Sequence, residues 1–472
     1  MSHIVPAISR RIRTLILIAG MIPAAVIGAE KKEETVLDAW LHAHFPGSQP
    51  WDIGGEFRGR FENKSDAGVL PNSDFISEVA ESREAIYFRE KIHLGYKPSP
   101  WVALYVEGRD ASGHEDIKAD DKFDLFQAYV TLGNLKEFPL TAQIGRQEMA
   151  YGDQRMIGKG DWNNVGRSFD AIRLHYENPC ASIDAFTSRV VLTDDDNFNV
   201  NNDYDTFSGI YASFKKLIPW QDTQVYFLAR NAGKDAANAL DPGIPGTPST
   251  QRDIYTIGTL WKSNADALNG WDYSVEGVYQ FGSVYNTKLD DTLDQQSYAF
   301  FTDAGYTFKD VFGTPRVGIG YEYGSGDSDP TDGKVETFEN LFGTQHRPYG
   351  LMDLASPRNI HIPKIALSVK PVKDLTVSMD YLWFILSTTD DFFYPESGGG
   401  RSGNGYGIHP SFGSFVGSEI DIYANYAVTK WANIQAGYGH FFTGDYINDT
   451  ADSTGMHATD ADWFYTQLTL NF

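Results

Sequence analysis

The amino-acid sequence predicts an all-β protein: a transmembrane antiparallel β-barrel of about 18 strands, with long extracellular loops and short periplasmic turns. Three observations predict it. Roughly 18 segments alternate apolar and polar side chains, the period of a strand with one face in lipid and the other in water. The connections between them alternate in length, the asymmetry of an outer-membrane barrel. The chain ends on a strand from Ala461 to Phe472, with Phe464, Thr466, Leu468, Leu470 and Phe472 on one face and Trp463, Tyr465, Gln467, Thr469 and Asn471 on the other. A last strand that stops at a terminal Phe has the form of the closing strand of such a barrel. A soluble β-propeller or β-helix is the main alternative, and the internal repeat those folds require is absent.

The elements follow in order. Residues 1–29 read as a signal peptide: Arg10, Arg11 and Arg13 supply a basic start, Leu15 to Gly28 a short apolar core, and Gly28 and Ala29 the small residues before a charged run. Beyond it, no stretch approaches the roughly 20 apolar residues of a membrane helix. Residues 30–50 form a short periplasmic segment. Within it Glu33 to His44 is the one candidate helix, or a plug. Residues 51–472 are the barrel. Its segments begin near Gly54, Ala85, Val102, Phe123, Leu140, Ser168, Ala181, Thr206, Thr223, Arg252, Trp271, Ser297, Arg316, Ile360, Leu375, Gly417, Ala432 and Ala461. Residues 97–100, 177–179, 312–315 and 370–374 lie in short connections rich in turn formers. Asn63–Arg83, Thr193–Tyr204, Asn231–Gln251, Gly324–Arg358 and Ser387–Ser414 are the long ones.

Energetics sets which face is the lumen. A cation facing lipid at midplane costs about 2–4 kcal/mol, whereas a lumen position is wet. Glu56, Arg58, Arg60 and Glu62 therefore point inward, against Gly55, Phe57, Gly59 and Phe61. Arg89, Lys91 and His93 oppose Phe88, Ile92, Leu94 and Tyr96, with Glu90 breaking the apolar face. Tyr105, Glu107 and Arg109 oppose Leu104, Val106 and Gly108. The same rule turns Arg173, His175, Glu276, Glu419 and Asp421 inward. Tyr96, Tyr176, Trp261, Tyr306, Tyr323 and Trp383 fall near outward segment ends, where rings form interfacial girdles. The interior is expected to be polar, to carry both signs, and to be wide enough for an aqueous channel.

The formal net charge is −24 over 472 residues. Without the three leader arginines it is near −27, which argues against nucleic acid as a partner. Cys180 is the only cysteine, so no internal disulfide contributes. No GlyXSerXGly, HisGluXXHis or CysXXCys motif is present. The reading is therefore not an enzyme, with no cofactor and no metal. Residues 193–197 (ThrAspAspAspAsn) and 291–294 (AspThrLeuAsp) resemble loose calcium loops, but solvated loop is the better reading of each.

One segment is denser than a generic barrel needs. From Ile144 to Leu174 it holds Arg146, Arg155, Lys159, Asp161, Trp162, Asn163, Asn164, Arg167 and Arg173. Arginine forks suit carboxylates, and a Trp face suits a sugar ring. A loop that folds inward and rigidifies itself is the compatible structural reading. GlyArgGlnGlu (145–148), TyrGlyAspGlnArg (151–155) and AspTrpAsnAsnValGlyArgSerPheAsp (161–170) resemble the hallmark of the bacterial alginate export family. TyrGluTyrGlySerGlyAsp (321–327), residues 338–353, PheValGlySerGluIleAspIle (415–422) and the terminal Phe agree, so the resemblance runs from about Trp51 onward.

The resemblance implies an 18-stranded outer-membrane barrel that passes a polyuronate through an arginine-lined constriction. At matching motif positions stand Arg146, Arg155, Arg167 and Arg173; Arg58, Arg60, Arg89, Lys91, Arg109, Glu56 and Glu107 join them from the face argument. Trp162, Asn163 and Asn164 are the expected saccharide contacts in the loop. The acidic total favours a bipolar constriction over a uniformly positive one. The expected function is passive outer-membrane transport of anionic or polyhydroxylated saccharides. A general small-solute porin, or an adhesin or structural barrel, is the alternative. Expected partners are the saccharide, the lipid bilayer, and the barrel-assembly machinery through Phe472.

Overall fold

A computed structural model describes residues 35–66, 75–76, 82–114, 120–233, 250–264, 266–286, 289–396 and 398–472. The expected signal peptide lies outside the described residues.

Eighteen long strands make the wall: β1 (Trp51–Ser65), β2 (Ser82–Ser99), β3 (Val102–His114), β4 (Asp121–Leu132), β5 (Leu140–Gln147), β6 (Phe169–Glu177), β7 (Ala181–Leu192), β8 (Asp205–Ile218), β9 (Gln221–Ala232), β10 (Arg252–Ser263), β11 (Trp271–Asn286), β12 (Asp291–Thr307), β13 (Arg316–Gly324), β14 (Ile360–Val372), β15 (Leu375–Leu386), β16 (Phe415–Thr429), β17 (Ala432–Thr443) and β18 (Ala461–Asn471). Each pairs antiparallel with its neighbours in sequence. The barrel closes where β1 meets β18, from Glu56 opposite Asn471 to Ser65 opposite Asp462. Phe472 completes the closure, its N–H donating to Gly55 O at 3.0 Å and its carbonyl accepting from Gly55 N at 2.8 Å. Closure matters because every backbone polar group in the hydrocarbon must find a partner within the protein.

The alternation seen in the sequence is the alternation of the wall. Phe88, Ile92, Leu94, Ile172, Leu174, Tyr279, Ile422, Phe464 and Leu468 are exposed on the outside, while Arg58, Arg60, Arg89, Glu107, Glu276, Glu419 and Asp421 are buried within. Trp51 packs on Tyr96 and Trp271 on Tyr306, with ring centroids 4.3 and 5.0 Å apart, at the short-turn end. Glu90 does face outward and sits opposite Asp110.

Three local expectations needed correction. The strand expected from Ser297 begins at Asp291, because the β11–β12 hairpin rises well above its neighbours. Residues 291–294 are therefore strand, not a loop. A ten-residue helix, α2 (Asp445–Thr454), went unseen in a stretch whose apolar side chains are few. It buries Tyr446, Ile447 and Ala451, and Gly455, at φ 75°, ends it. The expected N-terminal helix is present as α1 (Val36–His44), capped by Thr35 and tied to β1 where Ile53 N donates to Asp38 at 2.6 Å.

Candidate functional site

The lumen is not the uniformly polar channel expected. Loops 148–168 and 325–359 fold into it and meet there. Ile157 and Phe342 form a parallel bridge, with Gly158 N donating to Phe342 O at 2.9 Å and Thr344 N to Gln154 O at 2.8 Å. Gly343 permits this approach, since a Cβ there would collide with Arg155 O. Met149, Met156, Phe338, Phe342, Leu351 and Met352 then pack with inward Phe301, Phe384, Phe441 and Trp463 into one apolar core. The physical reason is length: loops long enough to reach the axis bring apolar side chains that displace water from the inward rings.

Most of the expected lumen arginines hold these loops. Arg58 donates to the carbonyls of Asp161 (2.5 Å), Asn163 (3.1 Å) and Trp162 (3.3 Å). Arg60 donates to Trp162 O at 2.7 Å, pairs with Glu62 at 2.7 Å, and lies 3.9 Å from the Trp162 ring centroid. Arg89 bridges Glu56 (2.6 Å) and Asp161 (2.9 Å). Trp162 is itself stacked on His346 at 3.6 Å, so its faces are taken by protein. Asn164 donates to Phe88 O and Ser112 O at 3.0 and 3.1 Å, while Asn163 is exposed.

Arg155 is anchored on Glu322 at 2.7 Å. Arg167 donates to the Phe342, Gly158 and Gly343 carbonyls inside the plug. Burial lowers its pKa to about 10. Burial pushes the Asp161 carboxyl up, but the cations of Arg89, Lys91 and Arg58 outweigh it and hold that carboxyl well below its usual range. Arg109 pairs with Asp121. Glu107 accepts from Tyr105 at 2.8 Å and Gln127 at 3.1 Å. Arg146 is engaged by Leu125 O and Asp170 of the wall and by Asn199 O of the β7–β8 connection.

The second loop is tied as firmly. Met352 N donates to Glu419 at 3.0 Å and Leu351 N to Asp421 at 3.1 Å. Glu339, which the sequence reading missed, pairs with Arg230 (2.8 Å), Arg358 (2.7 Å) and Arg252 (3.4 Å). Nothing in a strand pattern marks it, because its partners come from three separate elements. At residues 193–197, Asp194 is engaged in a turn, accepting from Asp196 N and Asn197 N.

What remains beside the plug is a half-exposed wall on β2–β6. His93, Tyr105 and Tyr129 stack in a row, with centroids 5.4 and 5.1 Å apart. Lys91 and Arg173 share this wall. Arg173 donates to Gln143 at 2.6 Å, and Lys91 lies over the Phe126 ring and within electrostatic reach of Asp161. The loop residues Lys159, half-buried and paired with Glu148 at 3.3 Å, and Asp161 lie beside it. On β10–β14, Arg316 is neutralised by Asp272 and Asp303, Lys364 by Glu322, and Lys262 by Asp153.

A family model described as alginate export matches residues 50–460. Among solved structures, Pseudomonas aeruginosa OpdK with vanillate superposes with a TM-score of 0.56 at 12% identity, covering 90% of this chain and 99% of that one. Pseudomonas aeruginosa OccK2 (OpdF) in complex with glucuronate gives 0.55 at 12% identity, covering 89% and 98%. OccK11 (OpdR) of the same organism gives 0.52 at 12%, covering 90% and 96%. At such identity the likeness is one of fold. No curated protein matches the chain.

Proposed function

The chain belongs to the alginate export family, as an outer-membrane β-barrel, and from that premise we propose that it passes anionic saccharides, uronate-like in chemistry, along the β2–β6 wall. The observation that carries this reading is the row of His93, Tyr105 and Tyr129 beside Lys91 and Arg173. Flat rings accept the apolar face of a sugar, and the half-exposed cations of Lys91 and Arg173 accept its acid group. Several weak adjacent sites favour passage over trapping. Arg58, Arg60, Arg89, Arg155 and Arg167 serve the same task indirectly by fixing the loops that narrow the lumen.

A small-solute porin is the second reading, favoured by the apolar core that fills the lumen around loops 148–168 and 325–359. Planar-bilayer recordings with uronate oligomers as blockers separate the two. Anion preference, block by oligouronates, and loss of both in Arg173→Gln with Lys91→Gln are the expected results. A cation-preferring channel indifferent to uronates of any length would overturn the saccharide reading. Passage of monouronates with exclusion of oligomers would establish the second.

A further inference from the structure

Three charged side chains on the outer wall lack a partner among the described residues. They are Glu90 on β2, Asp110 on β3 and Arg189 on β7, none of which makes a hydrogen bond or ion pair there. Other charges that face outward are satisfied by a neighbouring strand. Arg146 donates to Asp170 at 2.9 Å, His440 bonds Asp462 at 2.8 Å, and Asp253 accepts from Asn231 at 2.7 Å. Arg189 stands directly across from Asp170, but that carboxylate is held by Arg146 and by Asn201, which donates to it at 2.8 Å.

The three share one height. Glu90 faces Asp110 across the β2–β3 ladder and lies six residues above the girdle ring of Tyr96. Arg189 lies six residues above Ile183, the ladder partner of the girdle ring Tyr176. At about 3.3 Å per residue and a tilt of about 40°, both levels stand about 15 Å above the periplasmic interface, near the middle of an apolar band about 25 Å tall. An unpaired charge at that depth is unfavourable in lipid and marks a contact with something other than lipid. The wall between the two flanks is apolar, with Phe123, Ile144, Ile172 and Phe198 exposed.

The signs identify the occupant. A cationic partner would match Glu90 and Asp110 and leave Arg189 in lipid; an anionic one would do the reverse. A second copy of this chain matches all three. Four of the eighteen strands separate β3 from β7, about 80° of the wall. On a convex wall, flanks that far apart splay away from a copy placed across a two-fold axis. In a closed ring the acidic flank of one copy meets the basic flank of the next, and the two contact lines stand about 60° apart for three copies and about 90° apart for four.

We propose that the chain assembles in the membrane into a ring of three or four copies, β2–β3 of one against β7 of the next, with the outer face of β4–β6 turned toward the ring axis. The saccharide path lies inside each barrel and is independent of this contact.

The test places Asp110→Cys and Arg189→Cys together in the full chain with Cys180→Ser, which removes the only cysteine, and treats outer membranes with a short bis-maleimide. A ladder ending at three or four copies is expected from the pair, and no ladder from either cysteine alone. Ile257→Cys with Ile365→Cys, exposed on β10 and β14 and equally far apart around the wall, should give single copies. Because these cysteines also remove charges, the mass of the cysteine-free chain is read separately in styrene–maleate particles. Arg189→Glu should reduce the ring to single copies, and adding Glu90→Arg and Asp110→Arg should restore it. Single copies in the parent chain, or a ring that Arg189→Glu leaves intact, would overturn the proposal. Cross-linking from one cysteine alone would overturn it too, since that requires a two-fold contact. None of these results bears on uronate block.

Discussion

Arg58→Ala is the most informative single change, because Arg58 acts on the plug and not on the wall. Its guanidinium serves three backbone carbonyls, those of Asp161, Trp162 and Asn163. A buried acceptor left without a donor costs about 1–3 kcal/mol. Two of the three have a good second donor, Arg89 at 3.1 Å for Asp161 and Arg60 at 2.7 Å for Trp162, whereas Asn163 keeps only a long one, Arg89 at 3.5 Å. Removing Arg58 also relieves the burial of its own charge, which offsets part of the loss. A net cost of about 2 kcal/mol follows, roughly a 30-fold shift toward a released loop. Trypsin cleavage after the half-buried Lys159 in the intact barrel, and open-channel fluctuations in planar bilayers, read that shift. Both should rise, while the melting of the barrel, whose ladders are untouched, stays within a few degrees. Unchanged cleavage together with altered anion selectivity would refute the reasoning, since it would mean that Arg58 addresses passing solute and not the loop.

Three further outcomes are expected. Asn164→Ala leaves Phe88 O and Ser112 O without their side-chain donor, and should raise cleavage at Lys159 by about 1–2 kcal/mol equivalent, without altering barrel yield. Glu396, on the connection after β15, has its pKa raised to about 7 by burial and by the Asp353 carboxylate. A carboxyl whose folded pKa lies above its ordinary 4.5 stabilises the fold below that value and loses the contribution as pH rises toward 7. Wild-type loops should therefore loosen by about 2–3 kcal/mol between pH 5 and pH 8, and Glu396→Gln should abolish the difference; a pH dependence identical in the two proteins, followed by protease protection, would contradict this. Gly55→Val places a side chain against Lys91 O and the Phe472 ring at the closing seam, so refolding yield in detergent should fall well below that of Gly59→Val, whose nearest contacts are ring edges at 3.6 Å and beyond.

Apart from the start of β12, the strand pattern was legible from residue order, and the reason is physical. A wall with lipid on one side and water on the other forces period-two alternation at every step, so Arg58, Glu107, Arg173 and Glu419 declare their face without any tertiary information. The closing strand and the long and short connections followed from the same constraint, and the eighteen strands of the wall agree with it. The helix α2 escaped because it is held by four buried side chains contributed to other elements' core, with little amphipathic pattern of its own.

What only the tertiary structure decided is the content of the lumen. Alternation states that a side chain points inward; it cannot state what meets it there. Trp162 looked like a ring offered to a sugar, and instead lies between His346 and Arg60. Arg146 looked like a pore residue, and instead pins a seam between strands of unequal length. The first outcome depends on loops 148–168 and 325–359 meeting nearly two hundred positions apart in sequence, the second on the β7–β8 connection bringing Asn199 to Arg146. Residue order fixes which face each strand gives to water, because that choice is local; which of those water-facing groups stay wet is settled by contacts that no local pattern encodes.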